Sequence, residues 1–184
     1  MNAANWIARW RVRLGYPIAI VVLWFARPVP RTIILGGAIG LIGLAIRAYA
    51  AGYLHKQSVL TVTGPYARTR NPLYLGSSVL ALGAGVAMHS WRSAAILLIY
   101  FAIVYFVVMK REEQELRLQH GAAFEEFARR VPLFLPRLTP AKISSTSAGS
   151  FAWSQYRKNH EYEAAMGFLL LLGLLFSIWR LRLG

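Results

Sequence analysis

Residues 32–54 read TIILGGAIGLIGLAIRAYAAGYL, twenty-three positions with a single charged side chain, Arg47. Coiled as a helix, such a run spans about 35 Å, more than the roughly 30 Å of a bilayer's hydrocarbon core. Gly36, Gly40 and Gly43 recur every three or four positions and share one face, which lets a neighbouring helix approach closely. The segment is expected to cross a membrane with a helix packed on its glycines.

Working outward, four more apolar segments have the same character: residues 15–26, 73–88, 93–109 and 164–179. The first is short and stops before Pro28, but Trp6 and the ladder Arg9, Arg11, Arg13 extend it through the headgroup region. It has the look of a secretion signal. However, Arg27-Pro28-Val29-Pro30-Arg31 follows with no small-x-small cleavage site, so an uncleaved span is expected. Composition agrees: 57% of residues are hydrophobic and 15% charged, and the mean hydropathy is +0.43. The expected fold is an all-α integral membrane bundle of about five transmembrane helices with a polar helix-loop segment, to which the family resemblance given below adds cofactor binding on the cytoplasmic side. It forms a single domain over 1–184, with N-terminal spans in 1–54, a core in 55–137 and a linker, interfacial helix and last span in 138–184.

The net charge of +14 does not point to nucleic acid, because the basic residues lie between apolar runs instead of on one polar face. Absence of cysteine excludes disulfides, thiolate-bound zinc, iron–sulfur clusters and a cysteine nucleophile. No metal-ligand spacing is found. Alternating five spans from an N-terminus inside puts fifteen Lys and Arg on the inner face and five on the outer, which the positive-inside rule favours. All seven carboxylates, from Glu112 to Glu163, then fall inside, with the loop 54–72 and the polar segment 110–137. Arg47, near the inner end of its span, is read first as snorkelling to the headgroups and second as a polar contact lining a cavity.

Two polar stretches carry the chemistry. In the first, Gly64-Pro65 is a turn signal, and Asn71-Pro72 reads as a helix cap and first helical residue. That helix start, beside Arg68 and Arg70, is either mere entry to the third span or a site for an anionic group. The second, 110–132, reads as a continuation of the fourth helix into water, broken at Gly121 and resumed as a short helix to Pro132. Within it Glu113 and Arg117, Glu125 and Arg129, and Glu126 and Arg130 are spaced as surface ion pairs. That account leaves unexplained why Glu112-Glu113 stands at the membrane exit, facing the first loop.

Leu60, Gly64-Pro65-Tyr66 and Arg70-Asn71-Pro72-Leu73-Tyr74-Leu75-Gly76, followed by Glu112-Glu113, Leu116, Gly121, Phe124, Phe127 and Arg130-Val131-Pro132, resemble the isoprenylcysteine carboxyl methyltransferase family. Related integral-membrane phospholipid N-methyltransferases share the pattern. The likeness covers residues 54–137. Asn71 stands where the family has His, Phe124 and Phe127 where it often has Tyr, and Thr61-Val62 inverts its usual order. The resemblance implies methyl transfer from S-adenosylmethionine to a lipid or lipophilic acceptor that enters from the bilayer. It further implies cofactor contacts from Leu60, Gly64, Tyr66, Arg70, Asn71, Pro72, Tyr74, Glu112 and Glu113. Arg130 is expected beside the acceptor, holding it if it is a carboxylate, and Glu113 is the candidate base if it is an amine.

Beyond Pro140, residues 142–150 read as a linker and 151–163 as an interfacial helix in which His160 sits at headgroup level. Two rivals remain. An NADPH-dependent sterol or isoprenoid reductase resembles the same Pro-x-Tyr-Leu-Gly stretch, although such enzymes often carry Glu where Ser77 stands. A non-catalytic protein binding anionic lipid is the other. The expected enclosure requires both polar stretches in one compartment, so membrane-impermeant labelling should reach Lys56 and Lys110 from the same side; opposite sides would rule it out.

Overall fold

The computed structural model describes residues 3–54, 59–143 and 149–182, with side chains from residue 13 onward. The chain is all-helical: α1 (Ala3–Phe25), α2 (Pro30–Tyr53), a 3-10 turn (Gly64–Ala67), α3 (Pro72–Ala87), α4 (Trp91–Arg130), α5 (Trp153–Lys158) and α6 (Tyr162–Leu181). No strand occurs among the described residues. α2, α4 and α6 are each long and apolar enough to cross a membrane; α3 and the part of α1 from Arg13 to Phe25 are shorter apolar helices. Large side chains such as Trp24, Ile34, Leu41, Ile103, Leu170 and Phe176 are exposed on these helices. In water that much bare apolar surface would drive association, whereas acyl chains cover it at no cost.

α2 and α3 make the closest pairing, and glycine is the reason. A Cβ on Gly43 would lie 2.6 Å from the Leu80 nitrogen and 2.7 Å from the Gly76 carbonyl, both backbone atoms that cannot swing aside. About two turns away, a Cβ on Gly36 would strike the Gly83 carbonyl. α1 packs on α4, where Ser93 Oγ donates to the Val22 carbonyl at 2.7 Å, and Ser90 caps α4 by accepting from the Ser93 N–H at 3.3 Å. α6 closes the bundle as Phe168 and Leu175 join Val22, Ala84, Ala87 and Met88 in the core.

α1 begins well before the expected apolar segment and carries Pro17 inside it. α4 runs unbroken from the membrane to Gly121, whose φ of 49° and ψ of −121° end the regular helix and redirect the chain, as the glycine implied. The expected interfacial helix over 151–163 shortens to α5, because Asn159 leaves the helix to donate its side-chain amide to the Ala51 and Leu54 carbonyls at 2.9 and 3.1 Å. Lys56 and most of the 142–150 linker lie outside the described residues.

The polar stretches gather at one end of the bundle. Residues 131–143 lie along the turn before α3: the Arg70 N–H donates to Pro132 at 3.0 Å, Arg137 to Arg68 at 2.9 Å and Ala141 to Ala67 at 2.8 Å. Gly43→Leu should therefore lower the unfolding free energy in detergent by more than about 2 kcal/mol, through overpacking against backbone. Gly173→Ala, where a Cβ meets nothing within 4 Å, should leave it unchanged or raise it by up to about 1 kcal/mol, as read by thermal melts.

Candidate functional site

Beyond Gly121 the helix turns back, and the limb that follows buries Phe124 and Phe127 against Leu60, Val62 and Val131. This fold-back leaves a crook in α4. A cavity of about 490 Å³ occupies it, lined by Arg70, Lys110, Glu113, Gln114, Arg117, Glu125, Ala128 and Arg129. Four cations and two carboxylates face it, so the cavity favours an anionic or zwitterionic ligand. Its size lies within the roughly 300–1,000 Å³ of small-molecule sites.

Arg70 is the floor. Its guanidinium pairs with Glu113 Oε1, and Lys110 Nζ holds the other carboxylate oxygen at 3.2 Å. Arg70 and Glu113 are largely buried, yet Arg70 Nε, also buried, has no partner among the described residues. The helical pairing expected between Glu113 and Arg117 does not form. Glu113 turns inward to Arg70, and Arg117 reaches across the kink to Glu125 at 2.5 Å. A partly buried pair is screened less than an exposed one, which decides the competition. Glu126 and Arg130 do pair, at 3.0 Å.

The start of α3 is covered. Asn71 occupies the cap position with Pro72 first in the helix, but its side chain makes no capping bond and donates to the Leu133 carbonyl at 3.0 Å. Thr69 Oγ1 likewise donates to Phe134 at 2.8 Å, and Asn71 and Pro72 are buried beneath this strap. Arg68 turns away to the Leu138 carbonyl at 2.5 Å. The anion site expected at the exposed helix start is thus closed by 133–134, and the cationic surface lies at Arg70.

Outside the cavity lining, Tyr74 donates to Glu112 Oε1 at 2.7 Å and packs edge-on against Tyr105, their centroids 4.9 Å apart. Tyr66 is buried, and its phenol is pushed well above the usual range, first by desolvation, then by the negative charges of Glu161 and Glu112, with Arg47 offsetting part. Arg47 does not snorkel. Its Nε and Nη2 grip Glu161 in a fork at 3.0 Å each, and Nη1 donates to Ser77 Oγ. Glu161 was invisible to sequence reasoning because it lies 114 positions from its partner.

Of the residues singled out from sequence, the fold brings Arg70 and Glu113 into the cavity, while Tyr66, Tyr74 and Glu112 are not among its lining residues. Leu60 is core beneath Phe124, and Gly64, with φ of 59°, turns the chain against the Tyr53 ring. Arg130 is not among the lining residues. It is half-exposed, held by Glu126 and by the Lys142 carbonyl at 2.6 Å, while its neighbour Arg129 faces the cavity. No group of three or more potential metal ligands occurs among the described residues.

A family model described as phospholipid methyltransferase matches residues 33–122. The chain is 36% identical over 122 residues to the nickel-cobalt-cadmium resistance protein NccN of Alcaligenes xylosoxydans xylosoxydans, covering 61% of this chain and 57% of that protein. It is 31% identical over 150 residues to the cobalt-zinc-cadmium resistance protein CzcN of Cupriavidus metallidurans, covering 76% and 68% respectively. The chain thus spans little more than half the length of the first relative. No solved structure matches.

Removing Arg70 would leave Glu113 buried with only Lys110. Arg70→Ala should lower the unfolding free energy by about 3 kcal/mol, and Arg111→Ala, which breaks an exposed pair with Glu115, by less than about 0.5 kcal/mol, as read by chemical denaturation in detergent.

Proposed function

The chain belongs to the phospholipid methyltransferase family of integral-membrane proteins, and on that premise we propose that it methylates a lipid or lipophilic acceptor from S-adenosylmethionine. One observation supports this most: two polar stretches, some forty residues apart in the chain, meet at one end of the bundle, setting Arg70 against Glu113 and Tyr74 against Glu112. The donor is water-soluble and the acceptor is not, and a site at a membrane surface reaches both. By the positive-inside count, we assign that surface to the cytoplasm.

The side chains suit the donor. Arg70 has a buried, unpartnered Nε for a carboxylate, Glu112 and Glu113 suit an ammonium or a ribose diol, and Tyr74 with Tyr105 offers an aromatic wall. When bound, S-adenosylmethionine supplies a methyl group on a sulfonium, open to direct in-line displacement. The protein therefore needs no nucleophile of its own. Its task is to hold two reactants in line and keep water out, effects worth up to about 7–11 kcal/mol in well-oriented systems.

We assign the acceptor's anionic part to Arg129 and Arg117, which face the cavity, in place of Arg130, whose donors are engaged outside it. For an amine acceptor a base is required. Glu113, with both oxygens held by cations, serves as an electrostatic anchor. Glu112, hydrogen-bonded to a phenol, is the better proton acceptor.

Calorimetric titration of the detergent-solubilised chain should give binding of S-adenosylhomocysteine and none of NADPH. NADPH binding alone would favour the reductase, and silence with both the anionic-lipid binder. Glu112→Gln should reduce transfer of labelled methyl groups into membrane lipid by at least about a hundredfold. Glu115→Gln, on the exposed side of α4, should stay within twofold of the unsubstituted chain.

A further inference from the structure

The end of the bundle away from the cavity is made by the last turns of α1, α3 and α6 and the first turns of α2 and α4. Its connections are tied together: the Arg27 N–H donates to the Met88 carbonyl at 2.8 Å, and His89 Nδ1 lies 3.2 Å from the Arg27 carbonyl. Trp24 and Trp91 stand here, each 76% exposed, as indoles do at the headgroup layer of a membrane. Arg27, Arg31, Arg92, Arg180 and Arg182 gather at the same end, and all are exposed. None of the seven carboxylates does, because they lie on α4 from Glu112 onward and around the start of α6. Among the described residues, no ion pair engages any of these five arginines.

Two of the five converge. Arg27 Nη1 donates to the Ala26 carbonyl at 3.0 Å, and Arg182 Nη1, from the far end of α6, donates to the same oxygen at 2.7 Å. The two guanidinium nitrogens are therefore no farther apart than those two lengths together. A neutral carbonyl, aided by the roughly half negative charge at the end of the α1 dipole, leaves most of two positive charges unanswered. An anion set between them turns their repulsion into attraction. At headgroup depth the abundant anion is lipid phosphate, which guanidinium groups hold by parallel, charge-assisted hydrogen bonds. Leu181, beside Arg182, is 82% exposed, and with Trp24 it offers apolar surface for an acyl chain.

We propose that Arg27 and Arg182 form a phosphate site joining α1 to α6 on the membrane face opposite the cavity, and that it takes the phosphodiester of a lipid whose headgroup carries no balancing ammonium. The site is separate from methyl transfer and does not depend on that reading. Its occupant fastens the last helix to the first and stabilises the bundle.

The test is titration of the full detergent-solubilised chain with dihexanoyl phosphatidylglycerol, dihexanoyl phosphatidylcholine and inorganic phosphate, followed by tryptophan fluorescence and melting temperature. Phosphatidylglycerol should bind and raise the melting temperature, and phosphatidylcholine should bind at least about tenfold more weakly. Inorganic phosphate that binds as tightly as phosphatidylglycerol supports the site with free phosphate as its source; weaker binding identifies the lipid. Arg27→Gln combined with Arg182→Gln should weaken phosphatidylglycerol binding about tenfold or more. Arg31→Gln combined with Arg180→Gln removes the same charge from the same end and should stay within about threefold of the unsubstituted chain. No binding of either phosphate source, equal binding of the two lipids, equal losses in the two double variants, or binding that survives Arg27→Gln with Arg182→Gln overturns the proposal. Should that double variant fail to fold, Arg182→Gln alone decides: a loss of about threefold or more supports the site, and unchanged binding overturns it.

Discussion

The contact that everything else depends on is backbone against backbone between α2 and α3. Gly43 meets Gly76 and Leu80, and Gly36 meets Gly83, with no room for a side chain at either crossing. Within a bilayer no hydrophobic drive presses helices together, so close approach and the dispersion it permits must hold them. This contact sets where α2 ends and α3 begins, and hence how the intervening turn, Gly64–Ala67, presents Tyr66 and Arg70. It also leaves over Gly76 the space through which Arg47 passes to Ser77. Small residues thus supply both the adhesion of the bundle and the opening for Arg47.

Charge is disposed in two tiers around that pairing. In the deeper tier Arg47, Glu161, Ser77, Tyr66, Tyr74 and Glu112 are linked by forks, hydrogen bonds and mutual fields. The outer tier, Arg70, Glu113, Lys110, Arg117, Glu125 and Arg129, borders the open cavity. The deeper tier sets one cation, Arg47, against two carboxylates, Glu161 and Glu112, each of them held by a hydrogen-bonding partner. Of the two tiers only the outer is left with positive charge in excess, where water lowers its cost and an incoming anionic group can use it.

Local rules made the bundle legible from sequence. Apolar run length placed the helices, three of the five long and apolar enough to cross a membrane, Pro72 marked the start of α3, and Gly121 marked the break in α4. What those rules could not supply were partners chosen by burial. Spacing paired Glu113 with Arg117 along one helix, whereas the fold offered Glu113 the buried Arg70, forty-three positions earlier. Arg47, near the inner end of its span, reads first as snorkelling, because its partner Glu161 lies 114 positions away. Arg129 and Arg130 are adjacent and chemically alike; which one enters the cavity is set by helix phase after Gly121, and a positive-φ residue resets that phase in a way no periodicity predicts. The strap that buries Asn71 is irregular chain, with no pattern of its own to read.

The cavity owes its existence to that same glycine, and magnitudes show what keeps it closed on one side. Without a break, forty helical residues would run about 60 Å and carry Phe124 and Phe127 into water. Turned back at Gly121, the two rings are 1% and 2% exposed. Burial of that kind is worth roughly 2–3 kcal/mol per ring. The Arg117–Glu125 pair that bridges the same kink is half-exposed on both sides and adds at most about 1 kcal/mol. Apolar burial against Leu60 and Val62 therefore holds the limb, and the ion pair at the crook can open without loss of the fold. A cavity framed by rigid apolar packing but rimmed by a weak, half-exposed ion pair can take a charged group by exchange, because Arg117 can turn from Glu125 to it while the backbone around stays in place.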